Sequence, residues 1–320
     1  MLSRHAEDLF WAGRYLERAE DTARLLDVTY HGLLEGGGSD APMALQEVLD
    51  ALHLSSAFRS RHRKVTAAAV EQFLVLDESH SSSIVAAISR ARENGRNVRE
   101  HLSTELWEAL NSTYLDLRAE GRAEELAAHP HEFYRRVRSR CQLVAGAASE
   151  TMARRDAWRF LLLGRLVERA EMTCRLLRVR APRANGDDAH DDIHYWLVML
   201  NAVSALESYA RRFGAEITPA RVLEFLVLAP DFPRSVLFCL RGIETQLGGL
   251  EGGVAAPALR RALSRIRAEL EYQDVAELLD RGAVAALERT RRGIAEISER
   301  IESCYFANGP IPERHVYEAV

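Results

Sequence analysis

Residues 9–28 and 160–179 of this chain are two versions of one segment. The first reads LFWAGRYLERAEDTARLLDV and the second FLLLGRLVERAEMTCRLLRV. Gly13, Arg14, Glu17, Arg18, Ala19, Glu20, Thr22, Arg24, Leu25, Leu26 and Val28 recur as Gly164, Arg165, Glu168, Arg169, Ala170, Glu171, Thr173, Arg175, Leu176, Leu177 and Val179. The likeness resumes downstream. Phe73-Leu74-Val75-Leu76 matches Phe225-Leu226-Val227-Leu228, and after a one-residue slip Arg90 and Glu93 answer to Arg241 and Glu244. The pattern predicts an internally duplicated all-α protein. Its first repeat would be 1–148 and its second 149–320. The two would pack about a pseudo-twofold axis into one compact multi-helix bundle.

Alanine, leucine, glutamate and arginine dominate the chain, and all are strong helix formers. Period-two runs of β-branched residues, the signal of strands, do not occur. Glycine and proline gather at 36–42, 182–188, 230–233 and 248–257, which read as breaks. Helices are expected over 3–35, 41–60, 66–76, 81–101, 103–118, 121–145, 150–180, 190–213, 218–228, 233–248, 256–272 and 275–304. Thr66 and Thr218 are placed to cap helix starts, since a short hydroxyl accepts a hydrogen bond from an otherwise orphan amide. Pro219 suits the first helical position. In the first helix Ala12, Leu16, Ala19, Ala23 and Leu26 make one apolar stripe. His129-Pro130-His131 reads as a loop, Trp107 as core, and Tyr305-Phe306 as a packing anchor.

The repeated Gly-Arg-x-x-Glu-Arg-Ala-Glu segment is physically unusual. Gly13, Glu17, Glu20 and Arg24 share one helical stripe beside the apolar one, and Arg14, Arg18 and Asp21 form a second charged row. A mid-helix glycine costs about 1 kcal/mol against alanine, so close approach of a helix or a ligand is expected there. Two arrangements fit. In one, the charged stripes form a partly buried glutamate–arginine lattice joining the two repeat helices. In the other, they line a polar cleft whose arginines bind carboxylates or phosphates and whose glutamates move protons or hold a metal.

Several function classes fall away. Apolar residues are 47% of the chain and the net charge is only −5, which excludes general disorder and argues against nucleic-acid binding. Lys64 is the only lysine among 42 basic residues, a bias matching GC-rich coding. Cys141, Cys174, Cys239 and Cys304 are scattered, with neither zinc-knuckle nor redox spacing. No apolar run approaches the roughly 20 residues of a membrane span, and a cytoplasmic protein is expected. No histidine stands three residues after a glutamate, against a di-iron bundle. Asp187-Asp188-Ala189-His190-Asp191 resembles an aspartate-rich diphosphate motif but falls in a linker and reads as a solvated cap. His190 and His194 read as an exposed helix start. No metal site, cofactor or nucleophile–base pair is predicted.

The segments Leu2-Ser3-Arg4, Leu9-Phe10-Trp11, Gly13 to Glu20 and Thr22 to Leu26 resemble the opening of the bacterial alpha-E family. The likeness continues through 105–117, 154–177 and 218–240, including Phe232-Pro233-Arg234-Ser235-Val236, and reaches Tyr305-Phe306-Ala307. Where family members often carry Asn-Pro, this chain has His80 to Ser83. The resemblance implies an all-helical domain of unknown function, typically encoded beside or fused to a circularly permuted ATP-grasp ligase. Transglutaminase-like and proteasome-like peptidases occur in the same neighbourhoods. Carried over, the motif residues are Arg14, Glu17, Arg18 and Glu20 with Arg165, Glu168, Arg169 and Glu171.

The leading expectation is an accessory or substrate-presenting component of that ligase system. It would bind an anionic peptide or metabolite through Arg14, Arg18, Glu20, Arg24, Arg165, Arg169, Glu171, Arg175, Arg241 and Glu244. The rival is an independent enzyme acting on an amide-linked substrate, with Glu17 and Glu168 as its acid–base pair. A third is a structural homo-oligomer of long helices. Whether the chain is catalytic is left open by its sequence.

Overall fold

A computed structural model describes residues 1–35, 41–181, 193–251 and 257–306. The aspartate-rich stretch 187–191, His190, the side chain of His194 and Ala307 lie outside the described residues. Among the described residues the fold is all-α, with sixteen α-helices and no strand. The elements up to residue 151 are α1 (Ser3–Glu35), α2 (Ala41–Ala51), α3 (Ser55–Arg59), α4 (Ala67–Glu71) with a π-helical turn Gln72–Leu76, α5 (Ile84–Asn97), α6 (Thr104–Leu117), α7 (Arg122–Ala128) and α8 (Pro130–Thr151). The remainder holds α9 (Asp156–Arg180), α10 (Ile193–Ala202), α11 (Leu206–Phe213), α12 (Pro219–Leu223) with a π-helical turn Glu224–Leu228, α13 (Val236–Gly248), α14 (Pro257–Glu271), α15 (Val275–Asp280) and α16 (Ala283–Tyr305).

Helices α1 and α9 lie at the centre, each being the other's main neighbour. Helix α1 is walled by α5 and α8, and α9 by α13 and α16. The expected apolar stripe of α1 is buried throughout, from Ala12 to Leu26. Its charged rows are buried as well, because α1 is enclosed on nearly every side. Phe306 closes the bundle from below: its ring meets Phe10 of α1 at 5.4 Å and Phe160 of α9 at 6.1 Å. Trp107 departs from the core reading. It is half-buried, with the guanidiniums of Arg92 and Arg99 over its ring.

Local chemistry explains the helix starts. The Thr66 hydroxyl accepts from the Ala69 amide and the Thr218 hydroxyl from the Arg221 amide. Each of these short helices then widens into a π turn carrying Phe-Leu-Val-Leu. Ser83 and Ser235 repeat a second device. Each hydroxyl accepts the amide three residues on and donates to a carbonyl six residues back, Asp77 or Ala229.

Four expected helices are each divided in two; one of them, 275–304, parts into α15 and α16 at Gly282, whose φ is 82°. Segments 41–60 and 190–213 stop at His53 and Ser204, which take left-handed φ of 58° and 50°. In both, the next amide bonds back five residues, Leu54 to Leu49 and Ala205 to Leu200. This is the six-residue closure of a helix C-terminus, made here without the usual glycine. The segment 121–145 divides at His129. Pro130 has no amide to donate and so begins a new helix at its first position. His131 is therefore helical, not in a loop.

Candidate functional site

The two glycines decide how closely the central helices meet. A Cβ at Gly13 would overlap the Leu161 carbonyl oxygen and lie 3.1 Å from the Arg165 amide nitrogen. A Cβ at Gly164 would overlap the Phe10 carbonyl oxygen and lie 3.0 Å from the Arg14 amide nitrogen. The close approach predicted from the sequence is thus helix on helix, backbone on backbone, and it is mutual.

That approach brings the charged stripes together. Arg18 grips Glu168 with two bonds, from Nε to Oε1 at 2.7 Å and from Nη2 to Oε2 at 2.9 Å. Arg14 adds Nε to Glu168 Oε2 at 2.7 Å and Nη2 to Glu171 Oε2 at 2.7 Å. The reciprocal set holds Glu17. Arg169 donates from Nε to Oε1 at 2.6 Å and from Nη2 to Oε2 at 3.0 Å, and Arg165 from Nε to Oε2 at 3.0 Å. So the Glu-Arg pair of each helix clasps the Arg-Glu pair of the other. Arg24 pairs with Glu20 and Arg175 with Glu171, each four residues along its own helix. Arg14 also reaches Ser298 on α16 at 3.0 Å.

Ten of the twelve expected site residues meet here. Arg241 and Glu244 do not: on α13, they pair with Glu271 and Arg267 of α14 and are partly exposed. Sequence reasoning missed Arg234. It leaves the loop before α13 to donate to Asp21 at 2.5 Å and to Glu20 at 3.1 Å, and lies 3.3 Å from Glu17. The counterparts of Asp21 and Arg234 in the matching segments are Met172 and Ser82. The Asp21–Arg234 pair thus belongs to one side of the lattice only.

Glu17 and Glu168 are both 0% exposed. Burial on its own pushes their carboxyls up, and the facing guanidiniums overcome it. Arg169, Arg165 and Arg234 hold Glu17 well below the usual range, and Arg18 and Arg14 do the same for Glu168. Both carboxylates are locked in the charged form. Asp21 goes the other way. Burial, with Glu17 and Glu20 beside it, pushes its carboxyl up to about 6 despite Arg234.

The two shifts have opposite linkage. The lattice glutamates contribute stability above their ordinary value near 4.5 that is lost as pH falls. Asp21 contributes stability that is fully present below its ordinary 3.8 and is lost as pH rises through about 6. An Asp21→Asn variant isolates this. From pH 4 to pH 7 the wild type should lose on the order of 2 kcal/mol relative to the variant, whatever their starting difference. Urea unfolding of both proteins at the two pH values measures it, and a pH-independent difference would contradict it.

One small depression borders the lattice. Lined by Leu16, Glu20, Cys141, Trp158, Leu161 and Arg165, it has room for about one water molecule. The four cysteines are free, three of them buried, and burial first of all pushes the Cys239 thiol up to about 12. Two groups with metal-binding side chains stand near the ends of α1: His5 with Glu100 and His101, and Asp27 with His31 and His131. Neither is visible as a motif, because each joins residues about 95 or more apart in the chain. Among the described residues no helix is long and apolar enough to cross a membrane.

An all-helical protein whose two central helices are clasped by reciprocal Glu-Arg pairs is the class this fold defines. The model of the Alpha-E family, a predicted alpha-helical domain with a conserved ER motif, matches residues 1–306. The chain belongs to the Alpha-E family. It is also similar to uncharacterised proteins of Mycobacterium bovis, 24% identical over 288 residues, and of Mycobacterium tuberculosis, 24% and 23% identical in two strains. Each match covers 85% of this chain but 32% of the relative, so the chain spans about a third of the length of the curated relatives it matches. No solved structure matches it.

Proposed function

We propose that this chain is a non-catalytic, cytoplasmic helical partner of an ATP-grasp peptide or amide ligase. The carrying observation is that its repeated Glu-Arg motif pairs with itself, buried between α1 and α9, as a brace. A general acid or base must come within hydrogen-bond reach of its substrate, whereas Glu17 and Glu168 have no exposed surface. The guanidiniums expected to receive an anionic peptide already hold carboxylates. The length of the mycobacterial relatives supports a domain that works alongside others in one chain. The family resemblance supplies the kind of partner: the ligase first, with transglutaminase-like or proteasome-like peptidases as further members of the system.

The test is physical association. The full chain and the ATP-grasp protein encoded beside it should co-elute in size-exclusion chromatography at micromolar concentration. Separate elution of both folded proteins, with or without ATP and magnesium, would overturn the proposal.

A further inference from the structure

We propose that Asp27, His31 and His131 form a binding site for a divalent transition metal of the zinc type. Three atoms converge: His31 Nε2, His131 Nδ1 and Asp27 Oδ1. The two ring nitrogens are 2.9 Å apart, His131 Nδ1 lies 2.7 Å from Asp27 Oδ1, and His31 Nε2 lies 3.7 Å from it. Ligands of a tetrahedral ion bonded at 2.0–2.2 Å sit about 3.3–3.6 Å from one another. The observed triangle brackets that spacing, so shifts of about half an ångström admit the ion.

All three atoms can present a lone pair to one point. A cation there would take one from each. The backbone holds the three in place. Asp27 and His31 are four residues apart on one face of α1, and His131 stands in the first turn of α8, fixed by Pro130. The two imidazoles meet edge to face, with centroids 4.6 Å apart.

The surroundings fit a metal site in two further respects. Arg138 donates to the other oxygen of Asp27, Oδ2, at 2.8 Å, which orients the carboxylate and leaves Oδ1 for the ion. Asp27 is 4% exposed, whereas the histidine side chains are 48% and 43% exposed. The ion would therefore rest on a buried carboxylate and face solvent, keeping a fourth position for water. Two nitrogens and one oxygen suit zinc, nickel or cobalt and not magnesium or calcium. The Arg138 charge opposes the cation and weakens its binding. The His5 group is looser: His5 Nδ1 and His101 Nε2 lie 2.9 Å apart, but the carboxylate of Glu100 is exposed and stands 3.7 Å from the other nitrogen of His5 and 3.9 Å from His101 Nε2.

The experiment is calorimetric titration of zinc chloride into the untagged, EDTA-stripped full chain, with cobalt(II) absorption as a second readout. One zinc per chain is expected, with an intense visible cobalt band. His31→Ala and His131→Ala should each weaken binding about tenfold or more, while His5→Ala and His101→Ala leave it unchanged. His31→Gln and His131→Gln repeat the test with the side-chain volume kept, and circular dichroism confirms that every variant is folded. No zinc uptake by the folded wild type, uptake that survives loss of both His31 and His131, or uptake that requires His5 would each overturn the proposal.

Discussion

Gly164→Ala should destabilise the protein by about 3 kcal/mol or more, although alanine is the better helix former. In an exposed helix interior the same change gains up to about 1 kcal/mol. At Gly164 the new Cβ would overlap the Phe10 carbonyl oxygen and crowd the Arg14 amide nitrogen at 3.0 Å. These are backbone atoms of α1, and no rotamer change moves them. Overpacking of side chains costs typically 1–3 kcal/mol, and here two helices must part along their length. Gly13→Ala should behave alike, since its Cβ meets the backbone of α9. The double variant should cost less than the sum of the two, because the first alanine has already opened the gap for the second. Gly146 is the control: exposed on α8, with nothing within 4 Å of its Cβ position. Gly146→Ala should be neutral or gain up to about 1 kcal/mol. Urea unfolding of the four variants measures this, and a Gly164→Ala protein as stable as the wild type would contradict the close crossing.

The brace and the crossing are one device. Arginine side chains are long, yet the lattice bonds mostly run 2.6–3.0 Å. Backbones in contact allow Arg14 and Arg18 to reach across α9, and Arg165 and Arg169 across α1. A bulkier residue at either glycine would stretch every one of these bonds at once. The glycines thus fix the distance, and the ion pairs fix the register of one helix along the other.

This coupling was legible in the sequence because both parts sit in one repeated segment of regular spacing. Gly13 and Gly164 interrupt good helices at matching places, and Glu17-Arg18 answers to Glu168-Arg169. What periodicity leaves undecided is which of two arrangements the stripes adopt. A clasped lattice and an open cleft present the same pattern along the chain; only the distance between the helices separates them. Thr66 and Thr218 were legible because capping is local chemistry. The breaks at His53 and Ser204 were not, because left-handed helix ends are signalled by glycine and neither position has one. Arg234 was hidden for another reason. It enters from a loop, where no period places a side chain, and only the tertiary fold brings it to Asp21. The Asp27–His31–His131 triangle was hidden in the same way, since His131 arrives from another helix.

Glu168→Gln should lower stability by about 3–5 kcal/mol, the loss expected when one partner of a buried ion pair is removed. Glutamine keeps the shape and one carbonyl oxygen. It leaves Arg14 and Arg18, both buried, without the carboxylate that takes three of their hydrogen bonds. The lattice cannot absorb this. Among the described residues it sets the guanidiniums of Arg14, Arg18, Arg24, Arg165, Arg169, Arg175 and Arg234 against the carboxylates of Glu17, Glu20, Asp21, Glu168 and Glu171. Positive charge is already in excess, and every lost carboxylate adds to it. The expected fall in Tm is roughly 4–8 °C. Glu17→Gln should match it, because Arg165 and Arg169 stand to Glu17 as Arg14 and Arg18 stand to Glu168. Glu296→Gln on α16 is the comparison. Its pairs with Arg265 and Arg300 are solvent-accessible, and its loss should cost under about 0.5 kcal/mol. The same measurement separates the brace from the acid–base reading. A catalytic glutamate in a wet site can be replaced by glutamine with little change in Tm, whereas a brace cannot. A Glu168→Gln protein that melts with the wild type would therefore remove the structural role of the motif and return Glu17 and Glu168 to the list of catalytic candidates.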